Sequence, residues 1–166
     1  MQSVLKVSIR RARKSDSRSF IDLVISLAKF EHLASPTSSG KRRLVQDTFE
    51  KKRLRLFLSF VDKKPVGYTL YFFTYSSFLA RPTLYLEDLF VLEQFRGMGV
   101  GTKLFERCAE EARKLDCGRM EWSVLTWNQK AIGFYEKIGA KRLKEWHYYR
   151  LDRKGIELNS KGNTGP

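Results

Sequence analysis

Three closely spaced glycines follow an arginine at residues 96–101, in the sequence RGMGVG. An apolar segment precedes them and an amphipathic helix pattern follows, so they lie where a helix must begin. Glycine in a helix interior costs about 1 kcal/mol relative to alanine, so three of them need a reason. Glycine permits positive φ and close approach of a ligand, and the exposed N–H groups of such a turn bind anions. The pattern therefore predicts an anion site at a helix start, with Arg96 placed to bind phosphate oxygens.

The glycine spacing does not match the common nucleotide motifs. The dinucleotide fingerprint needs glycines at positions 1, 3 and 6, and Thr102 stands where the last one should be. The P-loop needs Gly-Lys-Ser/Thr, whereas this chain has Gly-Thr-Lys. A phosphate-bearing ligand of another kind is predicted, and a tight strand-to-helix turn without a ligand is the structural alternative.

Two adjacent carboxylates, Glu87 and Asp88, interrupt the apolar strand pattern that leads to the glycines. Alternation along a strand places them on opposite faces. A carboxylate in an apolar strand is costly unless it is paired or functional, so both are candidate site residues. An ion pair with a neighbouring Arg or Lys is the structural alternative for each.

The elements that must position these residues follow from hydrophobic periodicity and turn signals. The predicted order is βααβββαβαβ, which is typical of an α/β (α+β) protein with one mixed sheet and helices on both faces. The predicted strands span residues 5–12, 54–62, 63–76, 83–92, 119–127 and 141–152, and the predicted helices span 15–33, 41–52, 100–115 and 128–139.

Length and composition favour one intracellular domain. The chain has 166 residues, enough for a core, and only two cysteines, Cys108 and Cys117, which suits a reducing compartment. It lacks a zinc spacing, the apolar core of a signal peptide and the roughly 20-residue apolar run of a membrane span. We therefore expect a soluble cytoplasmic protein without a metal, with one domain over residues 1–155 and a flexible tail over 156–166.

The net charge is strongly positive, since 32 Lys and Arg oppose 18 Asp and Glu to give +14. Such a balance favours polyanionic partners, either nucleic acid or a phosphate-bearing cofactor. A generally basic surface without a specific partner is the alternative, because solvated charge runs are common.

Several segments resemble one enzyme family. The segment EQFRGMGVGTKLF is similar to the acetyl-CoA signature of the GNAT superfamily of N-acetyltransferases, Q/R-x-x-G-x-G/A, and WNQKAIGFYEKIGAKR resembles the second motif of that family. LAKFEHL, YFFTYS and YLEDLFVL resemble the diamine (spermidine/spermine) and thialysine acetyltransferase branch. The resemblance covers about residues 4–152 and implies the GNAT fold, a single, mostly antiparallel sheet that splays at the acetyl-CoA site.

The resemblance implies an acetyl-CoA-dependent N-acetyltransferase. The acceptor would be a primary amine, either a small diamine or polyamine or a lysine-like amine, which attacks the thioester directly. The glycine turn would hold the pyrophosphate of acetyl-CoA and the preceding strand its pantetheine. The implied cofactor-binding residues are Leu89, Phe90, Val91, Arg96, Gly97, Met98, Gly99, Val100, Gly101, Thr102, Asn128, Lys130, Ala131 and Tyr135. The residues implied near the acceptor amine are Phe30, Glu31, Glu87 and Asp88.

The implied catalytic residues are Glu87 and Tyr135. A primary amine has a pKa near 10.4 and arrives protonated, so a base must take its proton. Glu87 matches the family's base position and would act through water, with partial burial raising its pKa. The departing thiol has a pKa near 8.5 and a phenol near 10, so Tyr135 can donate a proton with little mismatch. A tyrosine in a helix is more often part of a core, and the FYEKIGA context is what points to an acid.

Two departures from the branch leave the acceptor open. Ser76 stands where polyamine enzymes of the branch carry an aspartate, and the segment 38–43, SSGKRR, is basic where relatives are acidic. A polycation needs several carboxylates, so a shorter amine, a lysine analogue or a protein amine fits better. A protein N-terminal or lysine acetyltransferase is therefore the alternative function.

Two other classes are weaker interpretations. The basic segments 10–14 and 41–53 could form a nucleic-acid surface, but no aromatic or recognition-helix motif accompanies them, which disfavours nucleic acid as the partner. A catalytically inactive acetyl-CoA sensor is disfavoured by the presence of Glu87 and Tyr135. Family members are often dimers, so we expect a homodimer and no membrane partner.

Overall fold

Among residues 6–160, which the computed structural model describes, five strands form one sheet. The first four pair in antiparallel fashion and the fifth lies parallel to the fourth. This confirms the predicted single, mixed and mostly antiparallel sheet. In spatial order the strands are β1 (Val7–Arg11), β2 (Arg55–Val61), β3 (Lys64–Ser76), β4 (Arg81–Val91) and β5 (Arg119–Glu121).

Helices cover both faces of this sheet. The chain divides into two compact units, Met1–Ser123 and Val124–Pro166, and the sheet belongs to the first. There α1 (Ser17–Phe30) and α2 (Ser38–Phe49) pack on one face, while α3 (Val100–Lys114) packs on the other. We call the two layers beneath them the α1 core and the α3 core. The α1 core contains Phe20, Leu23, Leu56, Leu58, Tyr68, Leu70 and Phe90, and the α3 core contains Phe57, Tyr71, Leu84, Leu86, Val100, Leu104 and Cys108.

A β-bulge at Glu87 decides which face each part of β4 presents. Leu70 pairs with Asp88 and the next residue of β3 pairs with Leu86, so Glu87 has no partner in the β3 ladder. Leu86 faces the α3 core and Phe90 faces the α1 core, although the two are four positions apart and regular alternation would place them on the same face. The extra residue therefore shifts the alternation by one position, and bulges of this kind often re-aim side chains beside active sites.

The sheet opens between its last two strands. The parallel pairing of β4 with β5 covers only Thr83 to Tyr85 opposite Arg119 to Glu121. No strand among the described residues pairs with this edge of β4 from Leu86 to Val91. The predicted strand over 119–127 therefore ends early, and the open edge of β4 lies directly before the glycine turn.

The second unit holds α4 (Gln129–Lys137) and α5 (Arg153–Ser160) within its described part. The strand predicted over 141–152 is wrong, because these residues form neither strand nor helix. Their large side chains alternate, but a strand also needs a neighbour for its backbone groups, and the described part of this unit contains no other strand. The helix α5 spans the boundary predicted at 155–156, and the tail beyond residue 160 lies outside the described residues.

None of the helices within residues 6–160 is both long and apolar enough to cross a membrane.

Candidate active site

The glycine turn has the backbone geometry of an anion cradle. Gly97 and Gly99 both have φ of 76°, and Gly99 is the residue from which α3 begins. A Cβ atom built on either glycine meets no atom within 4 Å, so both Cα atoms face open space. This answers the question of why the chain keeps glycine here, since side chains rarely adopt this φ and would also fill the space.

The first turn of α3 leaves amide groups available to a ligand. The first intrahelical hydrogen bond runs from Lys103 N–H to the Gly99 carbonyl at 3.0 Å, so the amides of residues 100–102 precede it. Gly99 supplies no side-chain cap, and the first turn contains no acidic residue. A pyrophosphate fits such a cradle, because N–H groups and the positive end of the helix dipole both favour an anion.

The third glycine, Gly101, is not required by the unliganded chain. It lies inside α3, and a Cβ there would meet Val91 Cγ2 at an ordinary 3.9 Å. Neither its backbone conformation nor its neighbours exclude alanine. If Gly101 has a role, it is to let a ligand approach the helix start.

The Arg96 side chain packs against the ends of β4 and α1. Its Nε donates to the Val91 carbonyl at 2.9 Å, and its guanidinium carbon lies 4.3 Å from the Phe30 ring centre and 5.6 Å from that of Phe90. Arg96 thereby ties the end of β4 to the end of α1. A role with phosphate would use the two terminal nitrogens of its guanidinium.

The two carboxylates of β4 differ from the prediction in their burial. Glu87 was expected to be the partly buried one, yet its side chain is exposed, because it is the bulge residue. Asp88 is partly buried instead and accepts a hydrogen bond from the Tyr68 hydroxyl at 3.0 Å. The perturbed environment that the sequence assigned to Glu87 is therefore found at Asp88.

The pKa of Asp88 is raised to about 7. Burial is the largest cause, the Tyr68 hydrogen bond opposes it, and the negative charges of Glu87 and Glu31 add to it. Burial also raises the pKa of Glu31, the residue that ends α1. The charges of Glu87 and Glu31 thus act on Asp88 beside the open edge of β4.

This environment predicts that Asp88→Asn stabilises the protein at alkaline pH. A carboxyl whose pKa is higher in the folded chain than in the unfolded one supports folding at low pH, and that support is lost as the pH rises through 7. Asparagine cannot ionise, so the variant does not lose stability in this way. The difference in the free energy of unfolding, variant minus wild type, should therefore be about 2 kcal/mol larger at pH 8 than at pH 4, after discounting for partial exposure. Urea denaturation at both pH values measures this. An equal difference at the two pH values would contradict it.

The strand residues implied for pantetheine lie at the end of β4. Leu89, Phe90 and Val91 occupy its last three positions, where no strand covers the outer edge within the described residues. Leu89 packs against the α3 core and Phe90 belongs to the α1 core, so both side chains are engaged. A ligand on this edge would therefore contact the backbone N–H and C=O groups of the strand.

Four of the predicted residues belong to the second unit. Asn128 caps α4, because its Oδ1 accepts from the Ala131 N–H at 3.2 Å. Lys130 lies in the first turn of this helix and is exposed. Tyr135 lies further along α4 with its ring beside that of Phe134, and burial raises its pKa to about 12.

Two other residues singled out in the sequence have structural roles. Cys108 is buried, donates to Thr69 Oγ1 at 3.3 Å, and burial raises its pKa to about 12, which fits the predicted packing role. Ser76 is buried, and its hydroxyl accepts from the Leu79 N–H at 3.2 Å in the turn between β3 and β4. Its hydroxyl is thus part of the turn.

Tyr68 was not predicted as a site residue. It lies in an apolar stretch of β3, and its ring is fully buried in the α1 core. Only the register of β3 against β4, shifted by the bulge, brings its hydroxyl to Asp88. The signal available in the sequence was the hydroxyl itself, which needs a partner in a core that phenylalanine would fill equally well.

Comparison with protein families decides the affiliation. The model of the Acetyltransferase (GNAT) family matches residues 21–140, which include most of α1, the glycine turn and α4. The chain belongs to the GNAT family. It is therefore an acetyl-CoA-dependent N-acetyltransferase, as the resemblance of its motifs implied.

Individual relatives agree with this assignment. The chain is 35% identical over 156 residues to the thialysine N-epsilon-acetyltransferase of Mus musculus, covering 87% of this chain and 91% of that protein. It is 43% identical over 102 residues to the L-ornithine N5-acetyltransferase of Arabidopsis thaliana, covering 61% of this chain and 45% of that protein. The fold matches that of an aminoglycoside N-acetyltransferase solved in complex with CoA, with a TM-score of 0.76, 18% identity, and coverage of 91% of this chain and 98% of that one.

Proposed function

We propose that this GNAT enzyme acetylates the primary amine of a small diamine, polyamine or lysine-like compound. The observation that carries the proposal is the acidic group formed by Glu31, Glu87 and Asp88 next to the open edge of β4. Carboxylates at such a position attract an ammonium group and hold it near the bound thioester. The relatives named for thialysine and ornithine support an acceptor of this size.

For the donor side, the glycine turn is proposed to bind the pyrophosphate of acetyl-CoA. The amides of Gly97 to Thr102, together with the terminal nitrogens of Arg96, are the proposed contacts. The backbone of Leu89 to Val91 is proposed to bind the pantetheine arm, and residues 128–131 the cofactor further along. When bound, acetyl-CoA supplies the activated acetyl group as a thioester.

For the acceptor side, Glu87 is proposed as the base and Tyr135 as the acid. The exposed position of Glu87 on the bulge supports action through water, because a solvated carboxylate can take the proton of the amine through a bridging water molecule. Asp88 and Glu31 are proposed to bind the ammonium group, with Phe30 lining the same region. Tyr135 is proposed to donate a hydrogen bond to the sulfur as the thiol departs.

Gly99→Val is expected to weaken acetyl-CoA binding at least tenfold. The valine side chain would occupy the open face of the turn and force a β-branched residue to a positive φ. Isothermal titration calorimetry measures the affinity. Gly139→Val is the matched control, because Gly139 also has a positive φ (86°) and open space around its Cα but follows α4. Equal affinity loss in both variants, or none in Gly99→Val, would refute the binding role.

A panel of amines tests the acceptor class, and we expect spermine not to be the best acceptor. Lys41, Arg42 and Arg43 line a surface hollow with Gln46 and Glu50, in the segment where polyamine enzymes are acidic. A lost carboxylate contact costs about 1 kcal/mol or more, so two losses approach thirtyfold in affinity. The measurement is kcat/KM with acetyl-CoA for spermine, spermidine, putrescine, ornithine, lysine, thialysine and a basic peptide. A spermine value above all others would overturn the expectation, and acetylation of the peptide alone would favour a protein acetyltransferase.

We further propose a cytoplasmic homodimer, on the strength of the family resemblance. Sedimentation velocity at micromolar concentration tests the oligomeric state, and a single species at the monomer mass of 19.4 kDa would contradict it.

A further inference from the structure

The hydrogen bond between Tyr68 and Asp88 is built into the framework of the sheet. The Tyr68 ring is fully buried, with its centre 5.5 Å from the Phe20 ring in an edge-to-face arrangement and 6.2 Å from the Phe90 ring. Tyr68 pairs with Phe90, and Asp88 pairs with Leu70, so the two polar side chains project from neighbouring strands. The hydroxyl can therefore move little, and its 3.0 Å bond fixes the position of the Asp88 carboxyl.

The bulge is what makes this contact possible. If Glu87 were paired in a regular ladder instead of bulged, Asp88 would share a face with Leu86 and point toward the α3 core. Because Glu87 is bulged, Asp88 projects to the same side as Tyr68 and Phe90. The bulge that exposes Glu87 thus also directs the Asp88 side chain toward the Tyr68 hydroxyl.

Apart from the Tyr68 hydroxyl, the surroundings of Asp88 oppose ionisation of its carboxyl group. Burial disfavours the charge, as do the carboxylates of Glu87 on β4 and Glu31 at the end of α1. From β3, the Tyr68 hydroxyl acts in the opposite direction, because a hydrogen bond donated to a carboxylate stabilises its charged form. The guanidinium of Arg96 lies over the Phe30 and Phe90 rings in the same region. The balance leaves the carboxyl near half ionisation at neutral pH.

We infer that Tyr68 is a positioning residue of the acceptor site, which orients Asp88 and holds it in the charged form that binds the acceptor ammonium. This inference rests on the proposed function, in which the acceptor is an amine. Phenylalanine would supply the same ring to the α1 core, so the hydroxyl is the part of Tyr68 that this role requires. A protonated Asp88 offers an ammonium group no net charge, so binding of the acceptor follows the ionised fraction.

Tyr68→Phe tests this through the pH dependence of acceptor use. The acidic limb of kcat/KM for the best amine should move to higher pH, with about a fivefold loss at pH 7 and less than a twofold loss at pH 9. The loss should lie in the KM of the amine and leave kcat and the affinity for acetyl-CoA unchanged. A merely structural role would lower activity equally at all pH values, and that result would overturn the inference.

The matched control is Tyr71→Phe, the same substitution in the same strand. Tyr71 belongs to the α3 core, so its hydroxyl lies on the other side of the sheet from Asp88. We expect the pH profile of this variant to coincide with that of the wild type. A shift as large as that of Tyr68→Phe would show a general effect of losing a buried hydroxyl and would count against the inference.

A second measurement separates this inference from the proposed function. In protein labelled with ¹³C-aspartate, the Asp88 carboxyl signal is identified by its absence from Asp88→Asn, and it is titrated without any substrate. The midpoint should be higher in Tyr68→Phe than in the wild type, whether or not an amine substrate is known. An unchanged midpoint would overturn the inference even if amines are acetylated. If Tyr68→Phe unfolds at the pH extremes, Asp88→Asn carries the kinetic test, and retention of the acidic limb in that variant would overturn it.

Discussion

Replacing Tyr135 with phenylalanine is expected to lower turnover by about 10² to 10⁴-fold, the usual range for loss of general acid assistance. Phenylalanine keeps the ring beside Phe134 in α4, so the melting temperature and the affinity for acetyl-CoA should hardly change. The hydroxyl is the group removed, and its proposed partner is the sulfur that leaves. Steady-state kinetics at saturating acetyl-CoA measure the effect, and normal turnover would assign the role to water or to another residue.

The raised pKa of Tyr135 refines what the hydroxyl can do. A phenol with a pKa of about 12 is a weaker acid than a thiol near 8.5, so full proton transfer from such a phenol to the departing thiolate is unfavourable. The hydroxyl is instead suited to donating a hydrogen bond as negative charge develops on sulfur. An acyl donor with a more acidic thiol should therefore reduce the difference between Tyr135→Phe and the wild type. An undiminished difference would point to a role in binding.

Gly67→Ala is expected to destabilise the fold by about 3 kcal/mol, which is more than a hundredfold in the folding equilibrium. A Cβ on Gly67 would lie 2.6 Å from the Phe90 carbonyl oxygen, 2.9 Å from Ser59 Oγ and 3.2 Å from Val91 Cα. Gly67 pairs with Ser59 on one side and Val91 on the other, so neither neighbour can yield without opening a ladder. The clash also falls on the strand end proposed to bind pantetheine.

Urea denaturation of Gly67→Ala measures the loss of stability, and Gly133→Ala is its control. Gly133 lies in α4 with no atom within 4 Å of a built Cβ, so alanine there should stabilise the helix by up to about 1 kcal/mol. An unfolding midpoint for Gly67→Ala equal to that of the wild type would mean that the sheet can part locally at little cost.

Local chemistry is what the sequence predicted well. The boundary predicted between the strands over 54–62 and 63–76 coincides with the turn between β2 and β3, where Asp62 and Lys63 both adopt positive φ. The glycine turn was also read correctly at Gly97 and Gly99, because backbone conformation at a helix start depends on the residues themselves. The start of α2 was missed by three residues, since Thr37 caps the helix through the Gly40 N–H at 3.1 Å.

Features that depend on pairing between strands could not be read from one segment. Burial of Glu87 was predicted by assuming an uninterrupted alternation, and a bulge is a property of two strands together. The same limit explains the strand wrongly predicted over 141–152, where the side chains alternate but the described part of that unit, up to residue 160, offers no other strand to pair with. The contact between Tyr68 and Asp88 was even harder to predict, because it depends on both the register of β3 against β4 and the bulge.

The unpaired state of Glu87 makes it the most dispensable residue of β4 for the fold. Deleting Glu87 would leave a regular ladder in which Leu86 and Asp88 keep their present faces, whereas deleting a paired residue such as Leu89 would turn part of the strand over. The carboxylate proposed as the base can thus be gained or lost by a single-codon insertion or deletion without rearranging either core. Insertion or deletion of a residue at this one position would therefore change the proposed activity during evolution while the fold stayed the same.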